Sequence, residues 1–396
     1  MKDLKIFTKN IEQEAINQID NLLNQEVFKD CKVRIMPDVH AGAGCVIGFT
    51  ANLGDKVIPN VVGVDIGCGM SWAKLGKVNI DLKILDDFIK REIPSGMNVR
   101  DDIIESFVNL KELSCYNELK NKNQWLEKSM GTLGGGNHFI EVAKDEDGNL
   151  YLIIHTGSRN LGKQVCDIYQ NKAIKNYSFD NEIKLERQKV IEELKASDNK
   201  HLIQEALKNI DKKYKGKTKL PKDLCYLDGE ERNNYLHDMK LCQKWARDNR
   251  KTMIRQICLY LGIYKVDYFE TIHNYIAEDN IVRKGAISAR KGEKVLIPIN
   301  MRDGCILGVG KGNEDWNFSA PHGAGRIMSR TKARELLSLQ EFEVQMQGVY
   351  TTTATKETID EAPMAYKNIK DIIDNIKDTV EIIEIIKPIY NFKASE

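Results

Sequence analysis

The alternation of apolar and polar positions divides the chain into helical and extended segments. Ile11, Ala15, Ile16, Ile19, Leu22 and Leu23 recur at helical spacing and predict an amphipathic helix over 8–24. Residues 31–37 read as a strand, which runs into a polar, Gly-rich turn, Asp38-Val39-His40-Ala41-Gly42-Ala43-Gly44. Short apolar runs broken by Gly and Pro predict strands joined by tight loops over 45–75. Helices are predicted over 80–92 and 101–121, and strands over 138–142 and 149–155. The stretch 180–250 reads as helical and highly charged. Lys200, Lys208, Lys212, Lys213, Lys215, Lys217 and Lys219 give its middle a basic cast. A long helix over 230–262 aligns Trp245, Met253, Ile257 and Leu261 on one face. Short strands return over 284–310. A helix is predicted over 324–339, starting just after His322, and 365–386 mixes both signals. Helices and strands do not alternate regularly, so the expected class is α+β. One large domain is expected over 1–396, with a charged helical insertion at about 175–262.

Composition narrows the class without naming a chemistry. At 42% hydrophobic and 30% charged residues, the chain is expected to be globular with a substantial core. No run of 18 apolar residues is present, so no membrane span is expected. Met1-Lys2-Asp3-Leu4-Lys5 lacks a signal peptide's apolar stretch, which makes a cytoplasmic location the expectation. Nine scattered cysteines without a CxxC pair argue against a disulfide framework and a zinc ribbon. The net charge of +1 leaves nucleic-acid binding to local stripes. Candidate stripes are Arg283-Lys284, Arg290-Lys291, and Arg326 with Arg330, Lys332 and Arg334.

The seven histidines carry the chemistry by their placement. Four lie in islands dense in Gly, Asn or Ser: Gly136-Asn137-His138, His155-Thr156-Gly157-Ser158-Arg159, His273-Asn274-Tyr275 and Pro321-His322-Gly323-Ala324-Gly325-Arg326. Val64-Asp65-Ile66-Gly67-Cys68-Gly69 adds a carboxylate and a thiol in a tight turn. A thiolate can bridge two metal ions, and this donor mixture suits Mn²⁺, Zn²⁺ or Fe²⁺. A free cysteine alone is more often a small buried hydrophobe. His138, His155 and His273 in similar turns raise Asp65 and Cys68 to candidate ligands. His322 differs, because glycines and a helix N-terminus behind it would admit a phosphate. It can attack phosphorus there, or simply cap the helix. His40 is a candidate to support the site from its Gly-rich turn, whereas His201 and His237 lie on charged helices. Gly308-Val309-Gly310-Lys311-Gly312 lacks the trailing Lys-Ser/Thr of a P-loop.

In this order, Asp38-Val39-His40, Gly63 to Gly69, Gly134-Gly135-Gly136-Asn137-His138-Phe139-Ile140-Glu141, His155 to Arg159 and His322 to Arg326 resemble the RtcB family of GTP-dependent RNA-splicing ligases. The resemblance runs from about residue 30 to Lys393 and is weakest over 175–222. It implies an RtcB-like fold with mixed sheets around a central metal and nucleotide cleft. It implies one Mn²⁺ on Asp65, Cys68 and His138, and a second on Cys68, His155 and His273. His322 would attack the α-phosphate of GTP and carry GMP to an RNA 3′-phosphate, which a 5′-hydroxyl RNA end would then attack. A 2′,3′-cyclic phosphate would first be opened. By the same resemblance Asn137 and Asn274 would contact phosphates, and Glu141 and Lys393 would read the guanine. Asn300, Met301, Cys305, Gly323, Ala324 and Gly325 would line the nucleotide pocket, and Arg159 and Arg326 would meet RNA phosphates. RNA is thus the implied substrate, and an archease-type activator a further implied partner. The family's usual Pro-Gly-Ser-Met-Gly loop reads here Pro298-Ile299-Asn300-Met301-Arg302-Asp303-Gly304, and a common serine is Cys305. That departure points to a branch serving RNA repair rather than tRNA splicing. Two other readings are a non-catalytic RNA-end-binding protein, which would need no nucleophile, and a metal-dependent RNA phosphoesterase. The latter class generally uses more Asp and needs no GTP.

Overall fold

The computed structural model describes residues 3–394. Its strands begin with β1 (Leu4–Ile6), β2 (Val33–His40), β3 (Ile47–Asn52), β4 (Gly69–Gly76), β5 (Phe139–Lys144), β6 (Leu150–Thr156) and β7 (Asp267–Ile272). They continue with β8 (Asn274–Ile276), β9 (Ile281–Lys284), β10 (Ala286–Ser288), β11 (Lys294–Asn300), β12 (Gly304–Gly310), β13 (Ser319–Pro321) and β14 (Val380–Lys393). A mixed sheet has the order β1-β2-β3-β9-β8, parallel only at β1–β2. A larger sheet, β11-β12-β14-β5-β6-β4-β7, is antiparallel throughout. β10 and β13 pair separately.

The helices are α1 (Gln13–Leu23), α2 (Pro59–Val62), α3 (Leu82–Glu92), α4 (Trp125–Lys128), α5 (Asn160–Asn176), α6 (Asp180–Ala196), α7 (Ile203–Tyr214) and α8 (Gly229–Tyr260). Three more follow: α9 (Arg330–Leu336), α10 (Leu339–Gln345) and α11 (Ile369–Ile376). The class is α+β as expected, with the run from α5 to α8 interrupting the strands. Among the described residues, no helix is long and apolar enough to cross a membrane.

Strand β6 shows why the large sheet sits at the centre. Its sequence, Leu-Tyr-Leu-Ile-Ile-His-Thr, is buried along its whole length, as a strand covered on both faces requires. Leu150, Leu152 and Ile154 face α3 and α8, joining Leu85, Ile89, Met253 and Ile257. Tyr151 and Ile153 point the other way, against Met70, Trp72 and Leu296, which is the period-2 alternation of a strand. Each fully buried Leu or Ile contributes about 1.5–3 kcal/mol of burial. The long helix expected over 230–262 is α8, and Trp245, Met253 and Ile257 are buried on it while Leu261 is its C-cap.

One predicted helix is absent and another starts late. Residues 101–121 form short single turns instead, at 110–112 and 116–118. Their amides serve α8: Ser114 and Cys115 N–H donate to the Asp238 carboxylate, and Phe107 N–H to Asp248. The helix expected over 324–339 begins only at Arg330, as α9, capped by Ser329. The amides of His322 and Gly323 donate to Asp38 Oδ2, and Gly325 has φ +74°. Gly-Ala-Gly is in any case a weak helix former. The first helix also starts later than expected, at Gln13.

Candidate active site

Antiparallel order gathers the candidate ligands. In the row β5-β6-β4-β7, the start of each strand lies beside the end of its neighbour. His138 immediately precedes β5, His155 lies at the end of β6, Cys68 immediately precedes β4, and His273 immediately follows β7. All four therefore emerge at one end of the sheet, and His273 N–H donates to the Cys68 carbonyl at 3.0 Å. Asp65 joins them from the turn before Cys68. Two donor sets result, Asp65–Cys68–His138 and Cys68–His155–His273, each within 4.8 Å, and Cys68 belongs to both.

Hydrogen bonds fix which ring nitrogens point inward. His138 Nδ1 lies 2.9 Å from the Leu133 carbonyl, and His155 Nδ1 3.2 Å from that of Asn137. A carbonyl only accepts, so each Nδ1 carries the proton and each Nε2 keeps a lone pair. Those lone pairs stand 3.6 and 3.4 Å from Cys68 Sγ, and His138 Nε2 is 3.2 Å from Asp65 Oδ2. Burial, with the neighbouring cationic groups, pushes His155 and His273 well below their ordinary values, so both rings are neutral. Burial and the Asp65 carboxylate push the Cys68 thiol well above its own. Lone pairs thus outnumber protons in a buried pocket, which is the donor chemistry a cation fits, and a cation reverses the Cys68 shift.

The corner rests on α8. Arg250 is fully buried and donates to the carbonyls of Gly67 and Thr156, to Ser71 Oγ and to Glu270. Asn249 Nδ2 donates to the carbonyls of Thr132 and Gly157. Sequence reasoning missed both; the available signal was a polar pair within the face running from Trp245 to Met253. Gly157 leaves room for the ligand turn, because a Cβ there would meet Asp65 Oδ1 at 2.1 Å. Asn274 is brought to this corner rather than to the cavity. Its Nδ2 donates to the Asp65 carbonyl and its Oδ1 accepts from Gly285 N–H.

His322 stands beside the ligands, its ring centroid 4.7 Å from that of His273. Its Nδ1 is 2.6 Å from Oδ2 of Asp38, which is fully buried. Asp38 was part of a motif but had no expected role. The carboxylate accepts the Nδ1 proton, which leaves the opposite ring nitrogen, Nε2, with a lone pair. His40 Nδ1 contacts the Asp38 carbonyl at 2.9 Å, and burial pushes its ring down to about 4.

A cavity opens from His155 and His322. Asn137, Glu141, Asn300, Met301, Cys305, Gly323, Ala324, Gly325 and Lys393 line it, together with Arg326. Its far wall pairs β5 with β14, where Asn391 lies opposite Glu141 and Lys393 opposite Phe139. Asn391 Nδ2 donates to Glu141 Oε2 at 2.9 Å, and Cys305 Sγ donates to Oε1 at 3.7 Å. Burial pushes Glu141 up to about 7. Lys393 Nζ bonds the Asn137 carbonyl and pairs with Glu361 at 2.8 Å. Glu361 also meets Arg326, Arg330 and the Tyr366 hydroxyl. Asn300 turns its side chain onto its own loop, accepting from the amides of Arg302 and Asp303.

The two arginines expected to meet RNA already hold protein partners. Arg159 donates to Thr132 Oγ1 and to the Gly96 carbonyl, and burial pushes it down to about 10. Its φ of +57° is strained for a side-chain-bearing residue, as occurs at functional turns. Arg326 pairs with Glu361 and lies over the Tyr366 ring.

The sequence comparisons concern this whole arrangement. A family model described as tRNA-splicing ligase RtcB matches residues 18–128 and 101–394. The chain is 30% identical over 434 aligned positions to the RNA-splicing ligase RtcB of Escherichia coli K12, covering 99% of the chain and 97% of that protein. It is 25% identical over 474 positions to the tRNA-splicing ligase RtcB of Methanococcus maripaludis, covering 97% and 92%. With the RNA-splicing ligase RtcB2 of another E. coli strain it shares 25% identity over 418 positions, covering 97% and 93%. Model and relatives span nearly all of the chain, ligand corner and cavity wall included, and the chain belongs to the RtcB family.

Proposed function

We propose that the protein is an RNA ligase that joins an RNA 3′-phosphate, or a 2′,3′-cyclic phosphate after its opening, to a 5′-hydroxyl RNA end, using GTP and two Mn²⁺ ions. The observation that carries this reading is the shared thiol. Two donor sets meet at Cys68, one ring away from a histidine whose outer nitrogen is free to attack. Asp65, Cys68 and His138 would hold one ion, and Cys68, His155 and His273 the other. Such a pair, when bound, offsets the charge on phosphate oxygens.

The chain's own residues then perform the transfer. His322 Nε2 attacks the α-phosphorus of GTP. A P–N bond forms, the bond to the β-phosphate oxygen breaks, and pyrophosphate leaves with the electron pair. Asp38 orients the ring and offsets the positive charge it acquires. An oxygen of the RNA 3′-phosphate attacks the GMP phosphorus and the P–N bond to His322 breaks; the 5′-hydroxyl oxygen then attacks the 3′-phosphorus, the phosphodiester forms, and GMP leaves with the electron pair and takes up the hydroxyl proton. Positioning and charge, rather than acid–base work, carry such a reaction. Glu141 and Lys393 read the base from the far wall, with Asn300, Met301, Cys305 and the 323–325 glycine turn closing the pocket. Asn137 meets phosphate, while Asn274 holds the Asp65 turn. Arg159 and Arg326 offer their remaining N–H groups to RNA phosphates. We place the enzyme in the cytoplasm, with an archease-type activator and a role in tRNA splicing or RNA repair, the altered 298–305 loop favouring repair.

The test is incubation of the purified protein with Mn²⁺ and α-labelled GTP. Label attaches covalently to the wild type and not to His322→Ala. A wild type that binds Mn²⁺ and GTP yet takes up no label overturns the reading.

A further inference from the structure

The basic run in the middle of the chain is not used by the cleft. Most of it lies on α7 and the segment that follows, and α7 folds back on α6 as a helical hairpin. None of α6 is buried, and on α7 only Ile210 is. Three of the hairpin's carboxylates hold it together. Glu182 pairs with Lys219, Glu186 with Lys213, and Asp211 with Arg187. Lys219 N–H also donates to the Tyr177 carbonyl, which ties the hairpin's base to the end of α5.

Lys208, Lys212, Lys215 and Lys217 are left over. All four are exposed. Among the described residues their ammonium groups enter no ion pair or hydrogen bond, unlike Lys213 and Lys219 beside them. Lys208 and Lys212 stand at i and i+4 on one face of α7, and Lys215 follows as its C-cap, together over about 10 Å. Of the acids on α7, Asp211 is held by Arg187 and Glu205 is exposed beside this face, so three ammonium groups meet one unpaired carboxylate there. The stripe covers about three phosphates of one nucleic-acid strand at ~3.4 Å each.

We propose that this face of the α6–α7 hairpin is an accessory docking surface for the phosphate backbone of RNA, remote from the cleft. The inference rests on RNA being the substrate. Helix α5 starts beside Arg159 and ends at the hairpin. Its 17 residues span about 25 Å, equivalent to about seven stacked nucleotides. The hairpin therefore engages long RNAs and leaves short ends to the cleft alone.

The test compares wild type with a variant carrying Lys208→Gln, Lys212→Gln, Lys215→Gln and Lys217→Gln. Gln keeps helix propensity. Binding of a labelled 40-nucleotide RNA and of a 5-nucleotide RNA is measured from 50 to 200 mM salt. Four lost phosphate contacts lower the slope of log affinity against log salt by about 3 for the long RNA, and weaken it at least tenfold at low salt. The short RNA and the covalent uptake of GMP are unchanged. An unchanged slope for the long RNA, or an equal loss for the short one, overturns the proposal. So does a variant that keeps RNA affinity while losing poly-glutamate binding, which would assign the face to an acidic protein. A wild type that takes up no GMP but shows the slope difference defeats the ligase reading and leaves this one standing.

Discussion

The two sides of the cavity are built on different principles. At the candidate metal corner the main chain orients the donors: carbonyls of Leu133 and Asn137 set His138 and His155, and Arg250 ties down the carbonyls of Gly67 and Thr156. At the far wall, side chains orient one another: Asn391 and Cys305 hold Glu141, and Glu361 holds Lys393 and Arg326. A carbonyl cannot move without its strand, so the corner has little latitude. A side-chain pair can be retuned by one substitution. The departures from the family's usual loop, at 298–305, fall on the wall and none on the corner.

The sharpest way to break this contrast is at the shared thiol. Cys68→Ala removes a donor from both sets, whereas His138→Ala removes one from a single set. Metal analysis of the purified Cys68 variant is expected to fall to near zero ions per chain, and that of the His138 variant to about one. Ligation should fall by more than about 10³ in the Cys68 variant, because both ions' charge is lost from the transferring phosphate. A Cys68→Ala protein that retains a full metal complement would refute the bridging role. Asp38→Asn comes next. An amide can donate to Nδ1 and move the ring proton to Nε2, the attacking nitrogen. Comparable replacements behind a catalytic histidine cost about 10⁴. Single-turnover GMP attachment is expected to slow by about 10²–10⁴ with GTP affinity little changed. Equal losses in rate and affinity would mean that Asp38 serves binding instead.

The same contrast explains what was legible in the sequence. The corner's five candidate ligands sit in short Gly- and Asn-rich islands, His138 and His155 at predicted strand ends, so local pattern exposed them, and antiparallel pairing did the gathering. The wall joins positions 141, 305, 361, 391 and 393, and spacing carries no sign that they meet. Glu141 and Lys393 came from the resemblance alone, and Glu361 and Asn391 went unnoticed. Arg250 and Asn249 look like lapses in an apolar helix face until the carbonyls they serve are seen. The helix wrongly expected over 101–121, and the early start expected for the helix after His322, failed for a related reason. Their amides bond to carboxylates distant in sequence, Asp238, Asp248 and Asp38, and helix periodicity is blind to such partners.

The smallest expected effect tests the wall's tunability directly. Glu141 lies at about 7 against an ordinary 4.5, because burial disfavours its charge. In the free protein the sign is that of a raised acid. The neutral form is favoured by folding, so this contribution to stability is complete below pH 4.5 and is lost as pH rises through 7. Recognition of guanine N–H groups runs the opposite way, since only the carboxylate can accept from two donors. GTP affinity is therefore expected to hold above pH 7 and to fall about tenfold per unit below it, with Glu141→Gln abolishing the dependence. Cys305→Ser then supplies the fine adjustment. A thiol is a weak donor and a hydroxyl a stronger one, and hydrogen bonding to the charged form favours it. A gain of about 1.4 kcal/mol in that bond would lower the Glu141 value by about one unit. The midpoint of the GTP-affinity profile should move from about pH 7 to about pH 6, with affinity at pH 8 unaltered. A profile that does not move in Cys305→Ser, while Glu141→Gln still flattens it, would show that the thiol has no part in setting the Glu141 charge. The wall would then be as fixed as the corner.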